Sequence, residues 1–166
     1  MTLITRWAWV GAIAFGFVLI GAGLFMVRES RLAYNDVRDA LAAERIITAE
    51  DAEIPLAPVT GPAEAKAQAD AIQAHVLQTT EGLTYSELPR DDPRRGTYLQ
   101  AVTLRTALME SYLAFKVADL VLGVGIIVAL LGASHVVLGA YLGLVVAPAR
   151  EKAAGTRAGR PALNSA

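Results

Sequence analysis

Twenty-one consecutive residues, Trp7 to Val27, carry no charge. A second run, Val117 to Val146, carries one acidic residue, Asp119, close to its start. A helix needs roughly 20 apolar residues to cross the hydrocarbon core of a bilayer, and each run is long enough. Hydrophobic residues make up 54% of the 166-residue chain and charged residues 19%, an apolar bias relative to soluble domains that is concentrated in these two runs. The sequence therefore predicts an all-α membrane protein with spans at 7–27 and, including its outer approach, 113–146. A cleaved signal peptide would have an apolar region of about 7–15 residues, shorter than the first run, followed by a small-residue cleavage site. "GAGLFMVRES" offers a poor site, so the first run reads as an uncleaved anchor.

Two spans put both termini on one side. Arg150, Lys152, Arg157 and Arg160 follow the second span closely against a single acidic residue, Glu151. Basic residues flanking a span favour the cytoplasmic side. Arg28, Arg31 and Arg38 behind the first span argue the other way. They head an intervening segment of about 85 residues, and segments longer than about 60 translocate largely regardless of charge. The expected location is the cell membrane, with residues 1–6 and the tail 147–166 cytoplasmic and residues 28–112 extracytoplasmic. Between Arg28 and Glu110 there are nine Lys/Arg against fourteen Asp/Glu, so the outer segment is acidic. The tail, rich in small, polar and basic residues, reads as disordered.

Within the outer segment, Tyr34, Val37 and Leu41 recur at helical spacing, and no Pro or Gly intervenes between Met26 and Ile54. The first helix should continue past the bilayer to about residue 46, an extension of roughly 25–30 Å at 1.5 Å per residue. "TAEDAEIPLAPVTGP" reads as an extended connector. Pro62 suits the first turn of a helix over about 62–80, with Ala65, Ala69, Ile72 and Val76 on one face. A third helix, from about residue 93 to 112, runs without Gly or Pro from Thr97 into the second span. The predicted architecture is two long antiparallel transmembrane helices extended into an extracytoplasmic helical cap.

Small residues recur at heptad spacing on both spans: Ala14 and Gly21, Gly16 and Gly23, and Ala118, Gly125, Gly132 and Gly139, with Gly143 one turn after Gly139. Such seams let helices approach closely in a membrane. They predict packing of the spans on each other, on another membrane protein or on a second copy. Lys116 and Asp119 stand one turn apart and read as an interfacial pair, with a proton relay through Asp119 as the sharper alternative. His135 is the one histidine inside a span, and His75 belongs to the outer helix. They should lie at different depths, which disfavours a shared metal. The chain has no Cys, which excludes disulfides and thiolate metal sites. No P-loop, H-E-x-x-H, G-x-S-x-G or Gly-rich dinucleotide turn is present, so no cofactor is expected. The short basic tail lacks interleaved aromatics, so neither is nucleic acid.

"YSELPRDDPRRG", Tyr85 to Gly96, is the densest charge cluster. It reads as a corner: Leu88-Pro89 ends one element, and Asp92 caps a helix whose first residue is Pro93. Arg94 and Arg95 are expected to turn outward toward Asp91, Glu87 or acidic residues of the first helix. The alternative is a metal or acid/base site built from His75 and the Glu87–Asp92 cluster.

"LAAERIITAEDA", "VTGPAEAKAQADAIQAHVL" and "GLTYSELPRDDPRR", in this order, give about residues 37–130 a pattern that resembles a family of small actinobacterial membrane proteins. The resemblance implies two spans with an exported loop and carries no catalytic residue onto this chain. Members are sometimes labelled like aromatic ring-opening dioxygenases. The iron triad of such enzymes needs histidines together, which His75 and His135 do not offer. The functional expectation is a non-enzymatic envelope protein, structural or accessory, that acts through helix packing and its outer cap.

Overall fold

A computed structural model describes residues 3–146; the basic tail and the first two residues lie outside the described part. Three helices account for most of it: α1 Leu3–Glu44, α2 Pro62–Thr79 and α3 Arg94–Tyr141. A single wider turn of π-helix, Leu142–Val146, extends α3. No strand forms among the described residues, and one isolated antiparallel bridge joins Ile47 to Pro58. Helices α1 and α3 are both long and apolar enough to cross a membrane. The chain divides into two compact units, Arg28–Leu122 and Met1–Val27 with Gly123–Ala166.

In the unit Arg28–Leu122, α2 supplies the centre. Ala65 and Ala69 are fully buried with Leu41, Val59, Leu108 and Phe115, and Tyr34, Val37, Ile46, Ile72 and Met109 pack around them. The rings of Tyr34 and Phe115 meet with centroids 4.7 Å apart. A second cluster joins Val76 to Leu88 and Tyr98. Ala67 and Ala71 are also buried, on a face that the apolar spacing of α2 did not single out. Alanine makes this possible, because a methyl group lets a neighbouring backbone come close on more than one side of a helix.

Beyond α1 the chain turns at Arg45, a non-glycine residue at φ 53°. The following segment is not the loose connector expected from its prolines. It closes on itself: the Thr48 amide donates to the Ala57 carbonyl at 2.9 Å, the Ala57 amide donates to Thr48 Oγ1 at 2.8 Å, and the Val59 amide donates to the Ile46 carbonyl at 2.9 Å. Thr48 is buried, and the neighbouring Ala49 amide reaches Gln68 Oε1 of α2 at 2.8 Å. Pro55 stands in the turn at the tip of this loop, where Leu56 takes φ 52°, and Pro58, on the returning arm opposite Ile47, needs no amide partner. Helix α2 ends where Thr80 Oγ1 donates to the Leu83 carbonyl at 2.6 Å and the Gly82 amide reaches back to the Leu77 carbonyl at 2.7 Å. That return takes Glu81 and Gly82 into positive φ, 57° and 87°.

Candidate helix-packing interface and charged corner

In the other unit, glycines bring the backbones of α1 and α3 together. A methyl group placed on Gly16 would stand 2.7 Å from the Gly132 carbonyl oxygen, and one on Gly132 would stand 2.6 Å from the Gly16 oxygen. Gly23 and Gly125 face each other in the same way, with gaps of 2.5 and 2.9 Å to the opposing carbonyl oxygens. A methyl on Gly139 would meet Ile13 Cγ1 at 2.6 Å and the Trp9 carbonyl at 2.9 Å, and one on Gly143 would press on the Trp9 ring at 3.1 Å. At Gly16, Gly23, Gly125 and Gly132 a backbone oxygen of the opposite helix lies under 3.0 Å from the added methyl and cannot rotate away, so only glycine fits at these four positions. The alternative heptad pair of α1 is elsewhere: Ala14 is exposed, and nothing lies within 4 Å of a methyl on Gly21. Ala118 belongs to the unit Arg28–Leu122, where it is buried and its carbonyl accepts a 2.7 Å hydrogen bond from Ser30 Oγ.

Outside this seam, large apolar side chains stand uncovered. Phe15, Phe17, Val18, Leu24 and Phe25 on α1 and Ile127, Leu130, Leu131, Val137 and Leu138 on α3 are each more than half exposed. Only 11% of the most apolar 18-residue stretch of either helix is buried. A core helix of a soluble protein would have most of that surface covered by its own chain.

His135 is half-buried beside the seam. Its Nδ1 lies 2.8 Å from the Leu131 carbonyl, a contact that requires the proton on Nδ1, and its ring meets Phe15 edge-on with centroids 5.5 Å apart. Asp119 is exposed and makes no ion pair with Lys116, whose ammonium lies over the Tyr112 ring at 5.5 Å.

The charged corner resolves into local contacts. Asp92 Oδ1 accepts the Arg94 amide at 2.8 Å, the bond of a helix cap with Pro93 in the first turn. Arg94 does not swing outward. Its guanidinium folds back on the Asp92 carboxylate at 2.8 Å and reaches Glu81 at 3.5 Å. The side-chain and backbone bonds from Arg94 hold the Asp92 carboxyl below its ordinary value. Arg95 turns inward too, donating to the Leu88 and Tyr85 carbonyls at 2.7 and 3.0 Å and stacking 4.1 Å over the Tyr85 ring. Guanidinium donors thereby satisfy carbonyls that the end of the preceding segment leaves unpaired. Glu87 is engaged with Thr84, whose amide and hydroxyl both donate to it at 2.7 Å and depress its carboxyl.

His75 is not drawn into this corner by any hydrogen bond. Its Nε2 lies 2.7 Å from Asp51 Oδ2, tying α2 to the closed loop, and that bond lowers the Asp51 carboxyl. No group of three or more His, Asp or Glu placed to hold a metal ion occurs among the described residues. Comparison with known proteins returns no match among family models, curated proteins or solved structures.

Proposed function

We propose that this chain is an integral protein of the cell membrane that works by helix packing rather than by catalysis, as a structural or accessory subunit of the envelope. In this reading α1 and α3 cross as an antiparallel hairpin with both termini cytoplasmic, and residues 28–112 form an acidic extracytoplasmic cap. The observation that carries it is the pairing of a glycine-only seam with uncovered apolar surface on both helices. That surface requires lipid or the helices of another membrane protein as its solvent. The order of contacts supports the hairpin, since Gly16 faces Gly132 and Gly23 faces Gly125. The resemblance to actinobacterial two-span proteins points the same way.

The metal-binding or enzymatic alternative draws on residues that are engaged separately: His75 with Asp51, Glu87 with Thr84, Asp92 with Arg94. Crosslinking in native membranes, followed by detergent extraction and purification of the tagged chain, tests the proposal. A higher-mass species containing a second copy or another membrane protein is expected. A chain that is solely monomeric and purifies alone would sink the accessory-subunit reading.

A further inference from the structure

A groove of about 540 Å³ lies between α1 and α3 within the unit Arg28–Leu122. Its walls are two helix faces. Ala33 and Val37 stand four residues apart on α1, and Leu113, Ala114, Val117 and Val121 repeat every three or four residues on α3. The one hydroxyl at the groove, that of Ser30, is already spent on the Ala118 carbonyl at 2.7 Å, so the polar groups left at the lining are carboxylates. Carboxylates stand in its lining at Glu29 and Glu110. Glu29 is bonded to Arg28, whereas Glu110 makes no ion pair among the described residues.

We propose that this groove holds one acyl chain of a membrane phospholipid whose amine headgroup lies beside Glu110. Three features select that occupant. The wall is apolar and unpartnered, with Leu113 and Val117 at least half exposed. From Glu110 to Val121 the α3 wall is about 16 Å long at 1.5 Å per residue, close to the length of an acyl chain that spans half of a hydrocarbon core about 30 Å thick, and it runs from the cap down to the outer end of the second span, so the chain held there is drawn up out of the outer leaflet. The lining carries negative charge and no positive charge, which favours an ammonium and disfavours an anionic headgroup. The inference rests on the membrane reading of Trp7–Val27 and Val117–Val146, which adjoin or overlap the lining positions in sequence.

The test is native mass spectrometry of the full chain, purified in mild detergent supplemented with equimolar phosphatidylethanolamine and phosphatidylglycerol. The expected result is retention of one phosphatidylethanolamine per chain. Ala33→Trp and Ala114→Trp fill the groove and cut retention about tenfold or more, because a blocked chain forfeits the burial of many methylenes. Val117→Gln keeps the volume, makes the wall polar and weakens retention in the same direction, which covers the case in which a tryptophan variant fails to fold. Leu120→Trp, on an exposed position outside the lining, leaves retention unchanged. Glu110→Gln keeps a lipid but abolishes the preference for phosphatidylethanolamine. Equal lipid counts in the wild type and the groove variants would overturn the groove as the site, and equal retention of both lipids by the wild type would overturn the headgroup assignment. An alkaline wash of native membranes separates this from the broader proposal. Release of the chain would defeat the membrane reading, while loss of lipid from groove variants of a chain that stays in the pellet is a result for the groove alone.

Discussion

Asp92 uses one carboxylate for two tasks, capping the first turn of α3 through the Arg94 amide and pairing with the Arg94 guanidinium. Both favour the ionised form, so its folded pKa lies below the unfolded value. Its stabilisation is therefore complete above the ordinary carboxylate range, near pH 4, and is lost as the pH falls through the lowered folded value. Asp92→Ala should lower the thermal midpoint by on the order of a few degrees at neutral pH, read by circular dichroism in detergent. Asp92→Asn should retain most of the cap, because asparagine caps as well as aspartate, while flattening the acid limb of the stability profile. An Asp92→Asn acid limb as steep as that of the wild type would show that the charge does not matter. The cap itself was legible in "RDDPRR", since an acidic residue before a proline is a local signal. The directions of Arg94 and Arg95 were not legible, because they depend on carbonyls at Tyr85 and Leu88 and on Glu81, set by turns that no periodicity announces.

At the scale of elements, Pro62 and Asp92-Pro93 mark where α2 and α3 begin, and the long apolar runs dictate helix throughout α1 and α3. Periodicity could not choose between the two small-residue pairs of α1. Ala14/Gly21 and Gly16/Gly23 have the same heptad spacing and lie about 200° apart around the helix, so only the partner decides which faces it. The contact with α3 uses Gly16 and Gly23. The closed loop after α1 was hidden for a similar reason, because its bonds pair Thr48 with Ala57 across residues that share no repeating pattern. The difference between the glycine pairs yields a prediction of opposite signs. In Gly23→Ala the new methyl would stand 2.5 Å from both the Gly125 oxygen and the Ala129 nitrogen, so the helices must separate. Overpacking of this kind costs roughly 1–3 kcal/mol. In Gly21→Ala the methyl meets nothing, and only the helix-propensity gain of up to about 1 kcal/mol remains. Unfolding in mixed micelles by denaturing detergent measures both. Equal effects from the two substitutions would mean that the Gly23 contact does not hold the helices together.

Over the whole molecule, charge and apolarity are segregated along the chain. The runs 7–27 and 117–146 hold one ionisable carboxylate, while Arg28–Glu110 holds fourteen acidic and nine basic residues. A charge near a bilayer centre costs several kcal/mol, so in the proposed membrane arrangement this segregation sorts the residues that would sit in lipid from those that would meet water. The absence of cysteine makes the partition directly measurable, because any introduced thiol is the sole target of a maleimide. Intact cells bearing single substitutions at Ser86, in the corner, and at Leu130 and Phe17, on uncovered faces of α3 and α1, provide the comparison. Ser86→Cys should react to near completion with a membrane-impermeant maleimide added outside. Leu130→Cys and Phe17→Cys should stay unlabelled until the membrane is dissolved, because a thiol in hydrocarbon is neither hydrated nor ionised and the thiolate is the reactive form. Labelling of Ser86→Cys only after lysis would invert the proposed topology and place the acidic segment in the cytoplasm. Labelling of Leu130→Cys and Phe17→Cys in intact cells would remove the bilayer from around both helices, leaving their apolar faces to be covered by protein instead.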